Sequence, residues 1–259
     1  MFVLLVALAA VAAVRGMWSP CGLSMLSTLN PVSERARGHR FWLTACWYVL
    51  GALVGGALLG LGCAVAAVGY GGLAAPSSVT WSVALVGATV AVFSDARVGG
   101  WSLPLHPRQV DERWVERYRR WLYASGYGVQ IGTGFATYIM TAGVYLVALL
   151  AALTGSPAQA FAGGIVFGLT RGMCVLATAG ARNAESLRWV IRRIDSWAGP
   201  SAYVSAGTCA VVGVLAAWRL SGAALALVAL LTFAIAVRGR NTTWRNMSSI
   251  PPALSTRGS

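Results

Sequence analysis

The sequence predicts an all-α polytopic membrane protein: about seven transmembrane helices, arranged as two inverted three-helix repeats and one further C-terminal helix. Three observations predict it. The 259 residues are 57% hydrophobic and only 10% charged, whereas a soluble domain carries about 25% charged residues. The mean hydropathy is positive. The arginines sit in short clusters between long apolar runs, the pattern of a chain that crosses a bilayer repeatedly.

A helix needs about twenty mainly apolar residues to cross the hydrocarbon. The first span is expected over 2–29 and is interrupted. Its opening run, FVLLVALAAVAAV, is thirteen residues, too short alone; RGMWSPCGLSMLSTLNP (15–31) then brings an arginine, two glycines, two prolines and a cysteine. The second span, 41–69, is one long apolar run, and the third, 78–95, closes at Asp95. The fourth, 122–152, is again long and is punctuated by GYGVQIGTGFATYIMT. The fifth, 158–181, encloses Arg171; 201–218 and 221–237 complete the set. The transmembrane domain is thus expected over 1–238, with repeat one at about 1–97, repeat two at about 120–218 and the extra helix at 221–237. The stretch 239–259, rich in Ser, Asn and Pro, is expected to be a disordered cytoplasmic tail.

Charge orients the chain. All twenty basic residues are arginine, and with the abundance of alanine and glycine this fits a high-GC bacterial genome. Seventeen of them fall between spans one and two, three and four, five and six, or in the tail, all on one side; the opposite loops hold only Arg219. The positive-inside rule then puts the N-terminus outside and the C-terminus in the cytoplasm of a bacterial inner membrane. No basic region precedes Phe2, so a cleaved signal peptide is not expected, and Pro20 before Cys21 argues against a lipoprotein site. In QVDERWVERYRRWL (109–122), Trp114, Tyr118 and Trp121 recur at helical spacing. The segment reads either as an interfacial helix with its arginines near anionic lipid, or as a solvated start to span four. The Asn241-Thr-Thr sequon falls on the cytoplasmic side.

Several chemistries are excluded. The net charge of +13 follows from membrane topology, and no nucleic-acid module is present, so nucleic acid is not an expected partner. Two histidines, both in loops, and no Cys-X-X-Cys leave no zinc site, and no metal or cofactor is expected. No span carries a carboxylate within its core, which argues against a cation path or proton relay.

Two arginines lie within spans, Arg15 and Arg171. An intramembrane arginine is costly and tends to be functional, although snorkelling to an interface is the bland alternative, easier for Arg15 than for Arg171. Setting Gly22 against Gly132 aligns the interrupted spans, with Pro20 opposite Gln130 and Cys21 opposite Ile131. Breaks at 16–22 and 126–134 are therefore expected, with half-helix ends near mid-membrane that can hold a polar ligand. The alternative is that these glycines are packing kinks between close helices. Cys46, Cys63 and Cys209 read as small apolar residues. Cys21 sits at the first break, and Cys174 follows Arg171 by three residues on one helical face, so the two form a hypothetical redox pair.

The stretch SPCGLSML, after a short apolar half-helix and before a basic loop, resembles the first cysteine motif of DsbD/CcdA-type membrane thiol–disulfide proteins. Those proteins are grouped with LysE-type exporters and share an inverted pair of three-helix units. The resemblance covers the span layout from 1 to about 218 and this one motif. It implies Ser19, Pro20 and Cys21 as a first redox element and a cysteine at the matching break of span four. Here the chain departs, with Val129, Gln130 and Ile131 at that place.

The leading expectation is an exporter or transporter of a small, anionic or electron-rich solute, working by alternating access of two inverted units. Its site would lie between broken helices one and four. Arg15 and Arg171 would attract the solute, with Ser19, Pro20, Cys21, Gln130, Thr133 and Thr137 around it. The rival is a thiol–disulfide oxidoreductase using Cys21 and Cys174 with a thioredoxin-like partner, as in cytochrome c maturation. A third reading is a non-catalytic membrane assembly subunit.

Overall fold

A computed structural model describes residues 1–96, 103 and 113–220, and every regular element among them is helical. The chain opens with α1 (Phe2–Arg15), an apolar run that tightens into one 3-10 turn at Gly16–Trp18. Ser19 then leaves helical geometry, with φ −68° and ψ 154°, and α2 (Pro20–Thr28) begins. The axis turns by 70° between the two pieces. This is how a Ser-Pro pair restarts a helix. Ser19 Oγ accepts from Gly22 N at 3.1 Å as an N-cap, and Pro20 takes the first helical position, where a missing N–H costs nothing. Asn30-Pro31 repeats the device for α3 (Pro31–Ala36), with Asn30 Oδ1 accepting from Val32 N and Ser33 N.

Next come α4 (Phe41–Gly72), α5 (Ser77–Asp95), the short α6 (Trp114–Arg117), α7 (Arg120–Gly132) and α8 (Gly143–Leu153). The chain ends its described part with α9 (Pro157–Met173), which runs on as a 3-10 segment Cys174–Thr178, then α10 (Ala184–Ser196) and α11 (Ala198–Leu220).

Four helices are long and apolar enough to cross a membrane: α4, α5, α9 with its 3-10 extension, and α11. The bent pair α1–α2 makes a fifth if counted as one span. Seven spans were expected, and the fourth accounts for much of the difference. It is divided into α7 and α8 by 133–142, which is not helical, so neither half reaches spanning length. The seventh, 221–237, and the tail 239–259 lie outside the described residues.

The second break is also displaced from 126–134. Helix α7 passes through Gly126 and Gly128 and ends at Gly132; Gly134, at φ +70°, is where the backbone turns left-handed. The earlier glycines are contact residues. A Cβ on Gly128 or Gly132 would collide with the carbonyls of Tyr48 or Ala52 on α4, and one on Gly51 or Gly55 with those of Ser125 or Val129 on α7. The same close approach joins α4 to α9, where Gly56 and Gly60 lie against Gly164 and Gly168. Small residues four apart let helix backbones meet this closely, so α4 is clamped between α7 and α9. Along its other face Val54, Leu58, Leu61, Val65 and Val68 are exposed, an apolar stripe suited to lipid.

Helix α5 packs on α11, and α1 packs on α8, α9 and α11. Two apolar cores result. One gathers Leu5 and Leu8 of α1, Ala88 of α5, Leu150 of α8, Phe167 of α9 and Val212 of α11. The other gathers Met25 of α2, Tyr48 of α4, Tyr123 and Tyr127 of α7, and Val175. Phe167 and Val175 stand four residues before and after Arg171, so Arg171 lies where one core gives way to the other.

The expected interfacial segment 109–122 is only partly described. Within it α6 covers Trp114–Arg117 and α7 begins at Arg120, and Trp114 stacks on Tyr127 at 5.8 Å, turned toward α7. The exposed amphipathic element is instead α10, closed by a reciprocal capping box between Asn183 and Ser186, with Trp189 and the neighbouring Trp197 exposed.

Candidate functional site

The junction of the two cores is built around Arg171. Its side chain rises from α9 and is 4% exposed. The guanidinium lies against the backbone of Gly16, at the first break, so closely that a Cβ there would overlap Nη1 and Cζ. It also sits over the Phe167 ring, 5.8 Å from the centroid. Gly134, at the second break, packs on the edge of that same ring. Both interruptions therefore converge on one turn of α9. Tyr48, Cys174 and Cys21 are its electrostatic neighbours.

Burying an unpaired charge costs several kcal/mol. Here Nε and Nη2 of Arg171 have no hydrogen-bond partner among the described residues. The described carboxylates are engaged or exposed elsewhere. Glu34, fully buried, accepts from Thr44 at 2.5 Å, Arg37 at 2.9 Å and Tyr123 at 3.2 Å. Asp95 accepts from Thr141 Oγ1 at 2.5 Å and Ala142 N at 2.7 Å, capping the start of α8. Glu116, Glu185 and Asp195 are exposed. Thr137 Oγ1, on the second break, is also buried with no partner among the described residues.

The remaining expected site residues separate from this centre. Arg15 is bound elsewhere: Nη1 donates to Ala198 O at 3.2 Å and Ser201 Oγ at 2.9 Å, and the guanidinium covers Trp18 at 5.9 Å. It fastens α1 to the first turn of α11. Ser19 is fully buried, but its hydroxyl is spent on the chain reversal, donating to Gly16 O at 2.7 Å. Pro20 is exposed, as the first residue of α2. Gln130 is half-buried at the end of α7, and its carbonyl accepts from Thr133 Oγ1 at 2.8 Å, so Thr133 closes its own helix. Cys174 Sγ donates to Thr170 O at 3.4 Å. Cys21 and Cys174 both border Arg171, yet no disulfide joins them.

Sequence reasoning missed Tyr48, which reads as one apolar residue among many, and the capping role of Asp95, which stands at a span end. It also missed Glu34. The Asn30-Pro31 start signal, with a carboxylate on the same short helix, was the available clue. No group of three or more metal-ligating side chains occurs among the described residues.

No family model matches the chain, and no solved structure matches it. Relatives do. The chain is 31% identical over 163 residues to the methylamine utilization protein MauF of Paracoccus versutus, covering 60% of this chain and 57% of that one. It is 32% identical over 170 residues to MauF of Paracoccus denitrificans, covering 62% and 58%. It is 31% identical over 179 residues to MauF of Methylophilus methylotrophus, covering 65% and 59%. The matched region thus spans less than three fifths of the length of each of these relatives. These likenesses overturn both the exporter of a small anionic solute and the thiol–disulfide electron carrier, because the similar proteins bear neither description. What this chain is similar to is a set of proteins named for methylamine utilization.

Proposed function

We propose that this chain is a membrane accessory protein of methylamine utilization, with buried Arg171 as its functional centre. The observation that carries the reading is the agreement of the relatives: Paracoccus, Methylorubrum and Methylophilus proteins at about 30% identity share one name. The choice of Arg171 rests on a guanidinium enclosed by the convergence of both chain breaks, since an intramembrane charge held at such cost marks function. The test is genetic. In a bacterium that carries the gene and grows on methylamine, deletion is expected to abolish growth on methylamine and leave growth on succinate with ammonium unchanged. Wild-type complementation restores growth. Arg171→Gln, present in the membrane at wild-type level, does not. Undiminished growth of the deletion strain on methylamine would overturn the reading.

The same proposal includes the finer architecture: a bacterial inner-membrane protein, N-terminus outside, of two oppositely oriented three-helix units and a seventh span. Its support is the pairing of elements. A two-fold relation between the units makes α4 equivalent to α9 and α5 to α11, and each of these pairs is in contact. It also makes α1 on α9 equivalent to α7 on α4, and both contacts occur. Inverted repeats with discontinuous helices place a shared site at the midplane, and Arg171 lies within the candidate span Pro157–Thr178.

A further inference from the structure

We propose that Arg171 binds a small carboxylate-class anion, held by the Nε–Nη2 edge of its guanidinium at the meeting point of the two chain breaks. The inference deepens the reading of Arg171 as the functional centre and rests on it.

The argument begins with which donors lack partners. Nε and Nη2 are the two nitrogens of one edge of the planar group, and both are buried without a hydrogen bond among the described residues. Their N–H bonds run side by side, the fork that a carboxylate meets with two oxygens at once. A halide can bridge both donors only through bent bonds to one centre, whereas a carboxylate gives each N–H its own oxygen in line. The third nitrogen, Nη1, lies nearest the position a Gly16 Cβ would take, with Nη2 farther off, at 2.9 Å.

Charge supports the same ligand. The groups electrostatically coupled to Arg171 are Tyr48, Cys174 and Cys21, each uncharged in its protonated form. Glu34 and Asp95, the described carboxylates with restricted exposure, are occupied by Thr44, Arg37 and Tyr123, and by Thr141 and Ala142. A guanidinium in an apolar interior needs a counter-charge, and an anion carrying two oxygens supplies charge and acceptors together. Gly16 is the residue that makes room. Any side chain at that position would overlap the guanidinium, so the close packing that holds the head in place exists only with glycine there.

The test uses the full-length chain purified in nanodiscs, with thermal unfolding followed at constant sodium concentration while chloride is replaced by formate. The expected result is a saturable rise in Tm of about 2–4 °C with formate and none with chloride, the size that ligand linkage gives a chain of this length. Arg171→Gln removes the rise. Arg171→Lys, which keeps the charge and loses the fork, also removes the preference for formate over chloride, and it serves where the glutamine variant does not fold. An equal response to both anions in the wild type, no response to either, or a formate-specific rise surviving in the lysine variant would overturn the proposal. The growth assay on methylamine reads out separately. Failure of Arg171→Gln to restore growth, combined with a flat formate response, removes the anion and keeps the centre.

Discussion

Ser19, Pro20 and Cys21 illustrate what three adjacent residues reveal and conceal. That the helix breaks here is legible from composition, since Ser-Pro between apolar runs is an N-cap followed by a first helical residue. That the serine hydroxyl is consumed by the break is not legible, because it depends on Gly16 O and Gly22 N reaching the same atom. Ser19→Ala is therefore expected to lower stability by about 1 kcal/mol through loss of the cap, and Ser19→Thr to retain most of it. Denaturant titration of the purified chain checks this, and an alanine variant as stable as wild type would remove the capping role. The two arginines of the candidate spans divide in the same manner. Their sequence surroundings are similarly apolar, but Arg15 reaches the carbonyl of Ala198 and the hydroxyl of Ser201, whereas Nε and Nη2 of Arg171 reach no acceptor among the described residues. Only tertiary neighbours separate an anchoring charge from an unbalanced one.

At the scale of elements, helix existence was largely legible and glycine meaning was not. The runs of α4, α5, α9 and α11 announce themselves by length and hydropathy. The glycines of α7 satisfy two descriptions, a break or a close contact, and periodicity alone cannot choose between them. The choice is made by α4, whose carbonyls occupy the space where side chains at 128 and 132 would begin. The actual break falls a few residues later, at the left-handed Gly134. A contrast within the α4–α9 pair tests this account. Gly164→Leu drives a side chain into the backbone of Gly56 and Gly60, and is expected to cost about 1–3 kcal/mol or more, with a lowered Tm. Gly62→Ala, only two positions from Gly60, meets open space and is expected to stay within about 0.5 kcal/mol of wild type. Equal effects at the two positions would show that helix propensity, not interhelical contact, governs these glycines.

For the whole molecule, composition reaches the class and stops short of the function. A low charge content and arginines clustered between long apolar runs identify a membrane chain, but nothing in either points to methylamine; that link comes from relatives alone. Orientation is the property of the whole that charge does address. The stretch from α9 to α11 carries Arg182, Arg188, Arg192 and Arg193, all exposed, with Arg193 resting over the Trp189 ring at 5.3 Å. The turn from α8 to α9 passes through Gly155 and has no charged residue. Moving arginines across an energised membrane is disfavoured, while an uncharged turn crosses readily, so the two connections are expected on opposite sides. Because α9 alone separates them, one pair of fusions decides the matter. Alkaline phosphatase, active only outside the cytoplasm, is expected to be active when joined after Gly155 and inactive when joined after Asp195; the reversed pattern would turn the molecule over. Equal activity at both sites would mean that α9 does not cross. In that case Arg171 would not be an intramembrane charge, and the physical reason for giving it a functional role would go with it.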